Sequence, residues 1–378
     1  MTRSVIARLL ILGTLFFLPL AAWPHKASDS YLIVDAKGLQ LTIQWDIALR
    51  DIDFAVGLDG NGDGEITWGE LRARQAHLEA WALSSLSLAR GGACALHLSS
   101  LQVDEHTDGG YAVLHAGGTC PASTGELELG YRLLFDLDNL HRGLLRITVD
   151  GATHTTVLSP TSGTTRWGTQ AVSRLDHFRQ FLVEGVWHIW IGFDHILFLT
   201  SLLLPAVLVF RNRHWRGVVS FREAGHEVLW VVTSFTAAHS ITLSLAALGW
   251  VSLPSRLVES AIALSVVLAA ANNLWPVVAN RRWIVAFCFG LIHGFGFASV
   301  LTELGLPADA LVLSLVGFNL GVEVGQMVIV AAFLPVAFWL RNTPIYQRGV
   351  FVGGSALTIL VALIWLTERV LDIKLISA

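Results

Sequence analysis

The stretch VEGVWHIWIGFDHILFLTSLLLPAVLV, residues 183–209, decides the class of this protein. It is long and apolar enough to cross a bilayer, whose hydrocarbon core takes about 20 helical residues. It also carries four side chains that are costly in lipid, and such residues are functional candidates by default. They are Glu184, His188, Asp194 and His195.

Five further apolar stretches follow, and the whole set predicts a polytopic α-helical membrane bundle of about six transmembrane helices at 183–371. The predicted spans are 183–209, 228–248, 257–277, 283–302, 310–339 and 349–370. Arginines cluster after the first, third and fifth spans, and positive loops stay in the cytoplasm. We therefore expect a bacterial inner-membrane protein whose N-terminal domain and C-terminal tail, 372–378, are extracytoplasmic.

The chain ahead of the bundle has the pattern of an exported domain. Residues 1–22 place basic residues before an apolar run, which indicates a signal peptide or a retained N-terminal anchor. Residues 23–165 alternate apolar and polar positions in many short runs, which predicts a mainly-β domain, a sandwich with a helical insertion at 71–88. The linker at 166–182 then leads to the membrane.

Residues 59–70 read DGNGDGEITWGE and match the twelve-residue EF-hand calcium loop at every diagnostic position. Gly64 permits the sharp turn, and the other key positions carry oxygen ligands. The expected ligands are Asp59, Asn61, Asp63, the carbonyl of Glu65, Thr67 through water, and both oxygens of Glu70. We interpret calcium as a structural ion; the alternative is a Gly-rich turn without an ion.

Two cysteines, Cys94 and Cys120, lie in the predicted exported domain, where a disulfide can persist. The sequence predicts a bond between them, with two free buried thiols as the alternative.

Counting from the ends of the spans, at about 1.5 Å per helical residue, places four titratable side chains near mid-membrane. They are His195, His239, His293 and Glu323. His188 and Glu259 fall nearer the outside and are interpreted as an entrance. On a straight helix His188 is too far from His195 to share an ion with it, unless Gly192 lets the helix bend.

Asn319, Glu323 and Gln326 share one helix face, and the two amides are expected to support the site or to join helices. Imidazole and carboxylate together suit nickel, cobalt or zinc. For any single histidine, the alternative is a hydrogen bond to a neighbouring helix.

Four motifs in the bundle resemble the HupE/UreJ family of membrane proteins. They are His188 followed after five intervening residues by Asp194-His195, SFTAAHS at 234–240, HGFGFA at 293–298 and FNLGVEVGQ at 318–326. The N-terminal portion, from His25 through the calcium loop, resembles the longer branch of that family. The resemblance implies secondary transport of nickel or cobalt, with the first motif carrying the metal.

The leading interpretation is a permease for nickel or cobalt rather than an enzyme, in which Asp194 orients a histidine or takes a proton. Expected partners are a divalent metal ion, the bilayer, and proteins of metalloenzyme maturation or outer-membrane uptake. A net charge of -4 gives no reason to expect nucleic acid. Two other classes remain: an intramembrane zinc hydrolase, since three histidines and an acid can hold zinc beside an open water position, and a calcium-stabilised sensor or accessory protein.

Overall fold

The computed structural model describes residues 28–106, 109–139, 141–169, 174–297 and 308–371. The predicted signal or anchor at 1–22 and the tail at 372–378 lie outside the described residues.

The N-terminal region is mainly β, as predicted. Its strands are β1 Asp29–Lys37, β2 Gln40–Ala48, β3 Leu86–Ala89, β4 Ala95–His106, β5 Gly109–Thr119, β6 Leu127–Tyr131, β7 Arg142–Val149, β8 Ala152–Leu158 and β9 Thr164–Trp167. Six strands form one sheet in the order β4-β5-β2-β1-β7-β8, and β3, β6 and β9 form a second. Inward residues of both sheets, such as Ile43 and Leu129, belong to one buried core, so we call this part the β-rich domain.

Three short helices interrupt these strands. They are α1 Leu49–Val56, α2 Trp68–Ala73 and α3 Gln75–Ser84. The single helix predicted at 71–88 was therefore wrong in its bounds, because Leu86 and Leu88 alternate inward as part of β3. A disulfide joins Cys94 to Cys120, and it links the start of β4 to the end of β5.

A buried polar chain fixes β1 against β6 and β7. The Tyr131 hydroxyl lies 2.6 Å from Nε2 of His141 and 2.7 Å from the Ser30 hydroxyl. The Ser28 hydroxyl contacts Nδ1 of His141, whose side chain is fully buried. Burial, together with the nearby charge of Arg142, lowers the pKa of His141 from 6.5 to about 3.

This pKa shift predicts that the β-rich domain loses stability in mild acid. The unfolded chain protonates His141 below about pH 6.5 but the folded chain does not, so stability falls as pH drops through that value. At about 1.4 kcal/mol per pH unit, the contribution is a loss on the order of 2 kcal/mol at pH 5. Hydrogen exchange of the β1 and β7 amides in the full chain, corrected for intrinsic rates, measures it.

His141→Gln is the matched variant, because glutamine cannot take up the proton. We expect the variant to be less stable than the wild type at pH 7. We also expect its stability to fall less than that of the wild type between pH 7 and pH 5. If the variant loses as much stability between pH 7 and pH 5 as the wild type does, groups other than His141 cause the pH dependence.

Several apolar helices build the C-terminal part. They are α4 Arg174–Ile191, α5 Phe193–Leu203, α6 Phe221–Ala247, α7 Ser255–Leu274, α8 Arg282–His293, α9 Ala308–Leu340 and α10 Gly354–Leu371, the last continuing a π-helical stretch, Ile345–Gly353. Among the described residues, four helices are long and apolar enough to cross a membrane, or five if α4 and α5 form one broken span. The chain is thus a membrane protein with a helical bundle, and α8 is a shorter apolar helix beside these spans.

The prediction of one continuous helix at 183–209 was wrong. Helices α4 and α5 meet at 72° around Gly192, and the helix stops at Leu203. Gly192 has an extended backbone, with φ -68° and ψ 99°. A hairpin of β10, Leu208–Arg211, and β11, His214–Gly217, follows. In the described residues the predicted span 283–302 is helical only as far as His293, and 298–302 lie outside them.

Glycines allow two pairs of helices to pack closely. An ideal Cβ on Gly321 of α9 would lie 2.0 Å from the carbonyl oxygen of Leu182 on α4. One on Gly294, just after α8, would lie 2.4 Å from the carbonyl oxygen of His239 on α6. Small residues at such crossings are typical of membrane helices. They bring the backbones that carry the polar side chains of the bundle into contact.

The β-rich domain and the bundle share a buried apolar cluster. Tyr31 and Tyr111 of the domain pack in it with Leu243 of α6 and with Leu315 and Phe318 of α9. These helix ends are the ones that the arginine pattern predicts to be outside. The domain therefore sits on one end of the bundle rather than beside it.

Candidate metal centre

Four histidine rings from four helices meet inside the bundle. The ring centroids of His188 and His195 are 4.5 Å apart, and those of His195 and His293 are 5.3 Å apart. His239 lies 6.3 Å from His188 and 6.4 Å from His195. His195, His239 and His293 are almost fully buried. These side chains, with Asp194, form what we call the histidine cluster.

Each histidine of the cluster has one buried ring nitrogen with no hydrogen-bond partner among the described residues. These atoms are Nε2 of His188, His195 and His239, and Nδ1 of His293. A buried polar group without a partner is costly and calls for an explanation. Four such atoms in one place make the cluster a candidate ligand site.

The hydrogen bonds of the other nitrogens fix which atom carries the proton in three of the rings. Nδ1 of His195 lies 3.0 Å from a carboxylate oxygen of Asp194, which can only accept. Nδ1 of His239 lies 3.2 Å from the amide oxygen of Asn319. Both rings must donate from Nδ1, so each Nε2 presents a lone pair.

Ser265 fixes the ring of His293 in the same way from α7. Its hydroxyl donates to the carbonyl of Ile262 over 2.7 Å, so it accepts from Nε2 of His293 at 2.9 Å. The lone pair of His293 is then on Nδ1, the atom without a partner. Outer partners that orient ligand histidines are a regular feature of metal sites.

The described residues contain two groups whose ligand atoms all lie within 4.8 Å of one another: His188 with His195 and His239, and Asp194 with His195 and His293. Three nitrogens, or two nitrogens and a carboxylate oxygen, are donor sets for borderline divalent metals. Nε2 of His195 and His239 and Nδ1 of His293 carry lone pairs, so these three rings can bind a cation without a change of tautomer. The arrangement is therefore suited to binding a metal ion.

The bend at Gly192 overturns the interpretation of His188 as an outer entrance. On a straight helix, seven residues would separate His188 from His195 by about 10 Å. The 72° bend between α4 and α5 instead brings the two ring centroids within 4.5 Å of each other. His188 belongs to the cluster.

Glu323 lies outside both ligand groups, contrary to the prediction that it binds the ion at mid-membrane. Its carboxylate accepts a hydrogen bond of 2.8 Å from the Thr233 hydroxyl of α6. Gln326 on the same face accepts from Thr236 at 3.2 Å. Asn319 is the residue of this face that reaches a cluster histidine. The other two join α9 to α6.

Glu259, the second predicted entrance residue, has a structural contact instead. Its carboxylate lies 2.9 Å from the guanidinium of Arg369 and accepts from Ser255 at 2.6 Å. It therefore holds α7 to α10. Ser265 could not be recognised from the sequence, since a serine in an apolar helix usually bonds its own helix backbone. Its role follows from its hydrogen bond to His293 on a different helix.

The segment 59–70 follows α1 and ends within the first turn of α2, so it has a helix on each side. Gly62 and Gly64 have positive φ angles of 74° and 83°. Both oxygens of Asp59 accept backbone N–H groups, from Gly62 and Gly64, and Glu70 accepts from Gly60. Hydrogen bonds from Thr67 and Gly60 lower the pKa of Glu70. Calcium binding by this loop stays a prediction.

Comparison with known proteins agrees with the resemblance seen in the motifs. Residues 164–369 match the model of the family described as HupE / UreJ protein. The match covers more than half of the chain and includes every residue of the histidine cluster. No curated protein matches the sequence significantly. The chain belongs to the HupE/UreJ family.

Proposed function

We propose that this protein is a secondary transporter for a divalent transition metal, nickel or cobalt, and that the histidine cluster binds the ion in transit. The observation that supports it is the set of four buried imidazole nitrogens without hydrogen-bond partners among the described residues. The family is linked in general terms to nickel and cobalt transport. That link favours a transporter over an enzyme.

The roles of the residues follow from their contacts. His188, His195, His239 and His293 bind the ion through their lone pairs. Asp194 orients His195 and supplies negative charge close to the ion. Asn319 and Ser265 hold two of the rings in the tautomer that binds metal. The energy for transport would come from an ion gradient or from a partner protein, since the sequence contains no nucleotide-binding motif.

The orientation we propose places the β-rich domain outside the cytoplasm. The opposite end of the bundle is rich in arginine: Arg341 donates to the carbonyl of Val218 at 2.8 Å, and Arg282 to that of Leu208 at 3.1 Å. Positive residues at one end favour the cytoplasm for that end. Reporter fusions after Arg213 and Arg348 test it, and a periplasmic signal from either would reverse the assignment.

Uptake into liposomes tests the function. The full chain is reconstituted, and entry of radiolabelled nickel and cobalt is followed under an imposed proton gradient and without one. We expect uptake of at least one metal above that of protein-free liposomes. Absence of uptake for both metals, in protein that is folded and inserted, would contradict a transport function.

We propose calcium as a resident ion of the β-rich domain. A ligand that binds only the folded state stabilises it by about 2.7 kcal/mol at a hundredfold excess over Kd. Glu70→Gln removes one charged oxygen of the bidentate ligand, so calcium should no longer raise the melting temperature as far. Thermal unfolding of the full chain in calcium and in chelator measures this.

Glu65→Gln is the matched control, because Glu65 would give calcium only its backbone carbonyl. It removes the same charge from the same loop and is expected to keep most of the calcium effect. If both variants lose the effect equally, the ion is held by net charge rather than by these ligands.

A further inference from the structure

The histidine cluster contains two ligand groups rather than one. The first, which we call the domain-side position, consists of His188, His195 and His239. The second, the core-side position, consists of Asp194, His195 and His293. Only His195 belongs to both groups.

The two positions have different surroundings. The ring of His188 lies 4.8 Å from Phe297 and 5.2 Å from Phe318. Phe318 packs in the apolar cluster that includes Tyr31 of the β-rich domain. The domain-side position therefore faces the end of the bundle that the domain covers.

The core-side position lies against other aromatic rings. The ring of His293 is 4.7 Å from Phe198 and 5.3 Å from Phe235. Both phenylalanines belong to a separate apolar core, formed mainly by α5, α6 and α7. An ion that moves from one position to the other thus moves from the domain end toward the interior of the bundle.

His195 can serve one ion at a time. Its Nδ1 donates to Asp194, so it has a single lone pair, on Nε2. An imidazole binds two metal ions only when it has lost both ring protons, and the hydrogen bond to Asp194 retains one of them. Two dications bound through one ring would also repel each other strongly in a site of low dielectric constant.

We propose that the cluster holds a single divalent ion in two alternative positions, and that the ion passes between them by pivoting on His195. It exchanges His188 and His239 for His293 and for Asp194, whose carboxylate gives up its hydrogen bond to the Nδ1–H of His195 as it takes up the ion. The proposal rests on the transport function proposed above and adds the number of ions and the order of their ligands. The domain-side donors are neutral, whereas the core-side position contains a carboxylate, so the ion gains charge compensation on the inner side.

Cobalt binding distinguishes the two positions, since the absorption bands of Co²⁺ depend on its ligands. The full chain in detergent is titrated with Co²⁺, and bound metal is counted by equilibrium dialysis. We expect one Co²⁺ per wild-type chain. His188→Ala should keep one ion with a spectrum of mixed nitrogen and oxygen ligands, and His293→Ala should keep one ion with a spectrum of nitrogen ligands.

His195→Ala removes the shared ligand and should weaken binding by more than the roughly 10–100-fold that loss of an outer partner costs. His226→Ala is the matched control, since His226 is an exposed histidine of α6 that bonds Trp230. Size-exclusion profiles and melting temperatures check that each variant is folded, and His188→Asn and His293→Asn replace any alanine variant that is not.

Three results would overturn the proposal or its basis. Two Co²⁺ ions on one wild-type chain would exclude alternative occupancy. Equal loss of binding in the folded His188 and His293 variants would show one joint site instead of two positions. No Co²⁺ on the wild-type chain would overturn the transport function itself, and so separates that failure from the other two.

Discussion

Metal uptake is expected to fall to the level of protein-free liposomes when Gly192 is replaced with alanine. An ideal Cβ at this position would lie 2.7 Å from the carbonyl oxygen of His188 and 2.8 Å from Nδ1 of His195. It would also lie 3.1 Å from the carboxylate of Asp194. The methyl group thus collides with His188 and His195 and crowds Asp194, and relief of the collision has to move the proposed ligands.

The control for this substitution is Gly225→Ala. Gly225 lies near the start of α6, and an ideal Cβ there would have no atom of the described residues within 4 Å, apart from its own helix backbone and chain neighbours. It should transport at the wild-type rate, because alanine favours the helix over glycine. If Gly192→Ala binds and transports cobalt as well as the control does, the bend is not needed for the site.

The second large effect is expected from Ser265→Ala, with Co²⁺ affinity about 10–100-fold weaker. The change leaves Nε2 of His293 without its acceptor, so the ring can turn or place its proton on Nδ1, the atom proposed to bind the metal. Ser265→Thr keeps the hydroxyl and should restore most of the affinity. Titration with Co²⁺ measures both variants.

Ser240→Ala serves as the comparison for Ser265→Ala. The hydroxyl of Ser240 donates to the carbonyl of Thr236 in its own helix, as many membrane serines do. Its loss should leave the affinity unchanged. If the two alanine variants bind Co²⁺ equally well, Ser265 does not position His293.

The family and the mainly-β N-terminal region could be predicted because each depends on local pattern. The residues of the first motif stand within eight positions of the chain, and alternation of apolar residues defines strands such as β2. Patterns of this kind are set by the nearest neighbours in sequence. They need no knowledge of how distant segments pack.

The geometry of the cluster could not be predicted, because it depends on backbone direction and on helix rotation. Depth counting assumed a straight first helix, and the break at Gly192 changed the neighbours of His188. Counting depth in the membrane also could not tell whether Asn319 or Glu323 contacts the cluster, because the two lie one turn apart on one helix face. Only the packing of α9 on α6 decides that Asn319 meets His239 while Glu323 meets Thr233.

The apolar cluster that joins the β-rich domain to the bundle argues against a swinging-arm model of ion delivery. A domain held only by its linker could change its orientation and bind ions at a distance from the bundle. The β-rich domain instead buries Tyr31 and Tyr111 in a cluster with α6 and α9, which fixes its position. The surroundings of His188 then include fixed apolar rings, since Phe297 and Phe318 lie beside it and stack 4.5 Å apart. Such rings offer a cation no replacement for its water ligands. A metal ion that reached His188 past these rings would have to give up water on that side, so a fixed domain would favour selection by dehydration over capture by a moving arm.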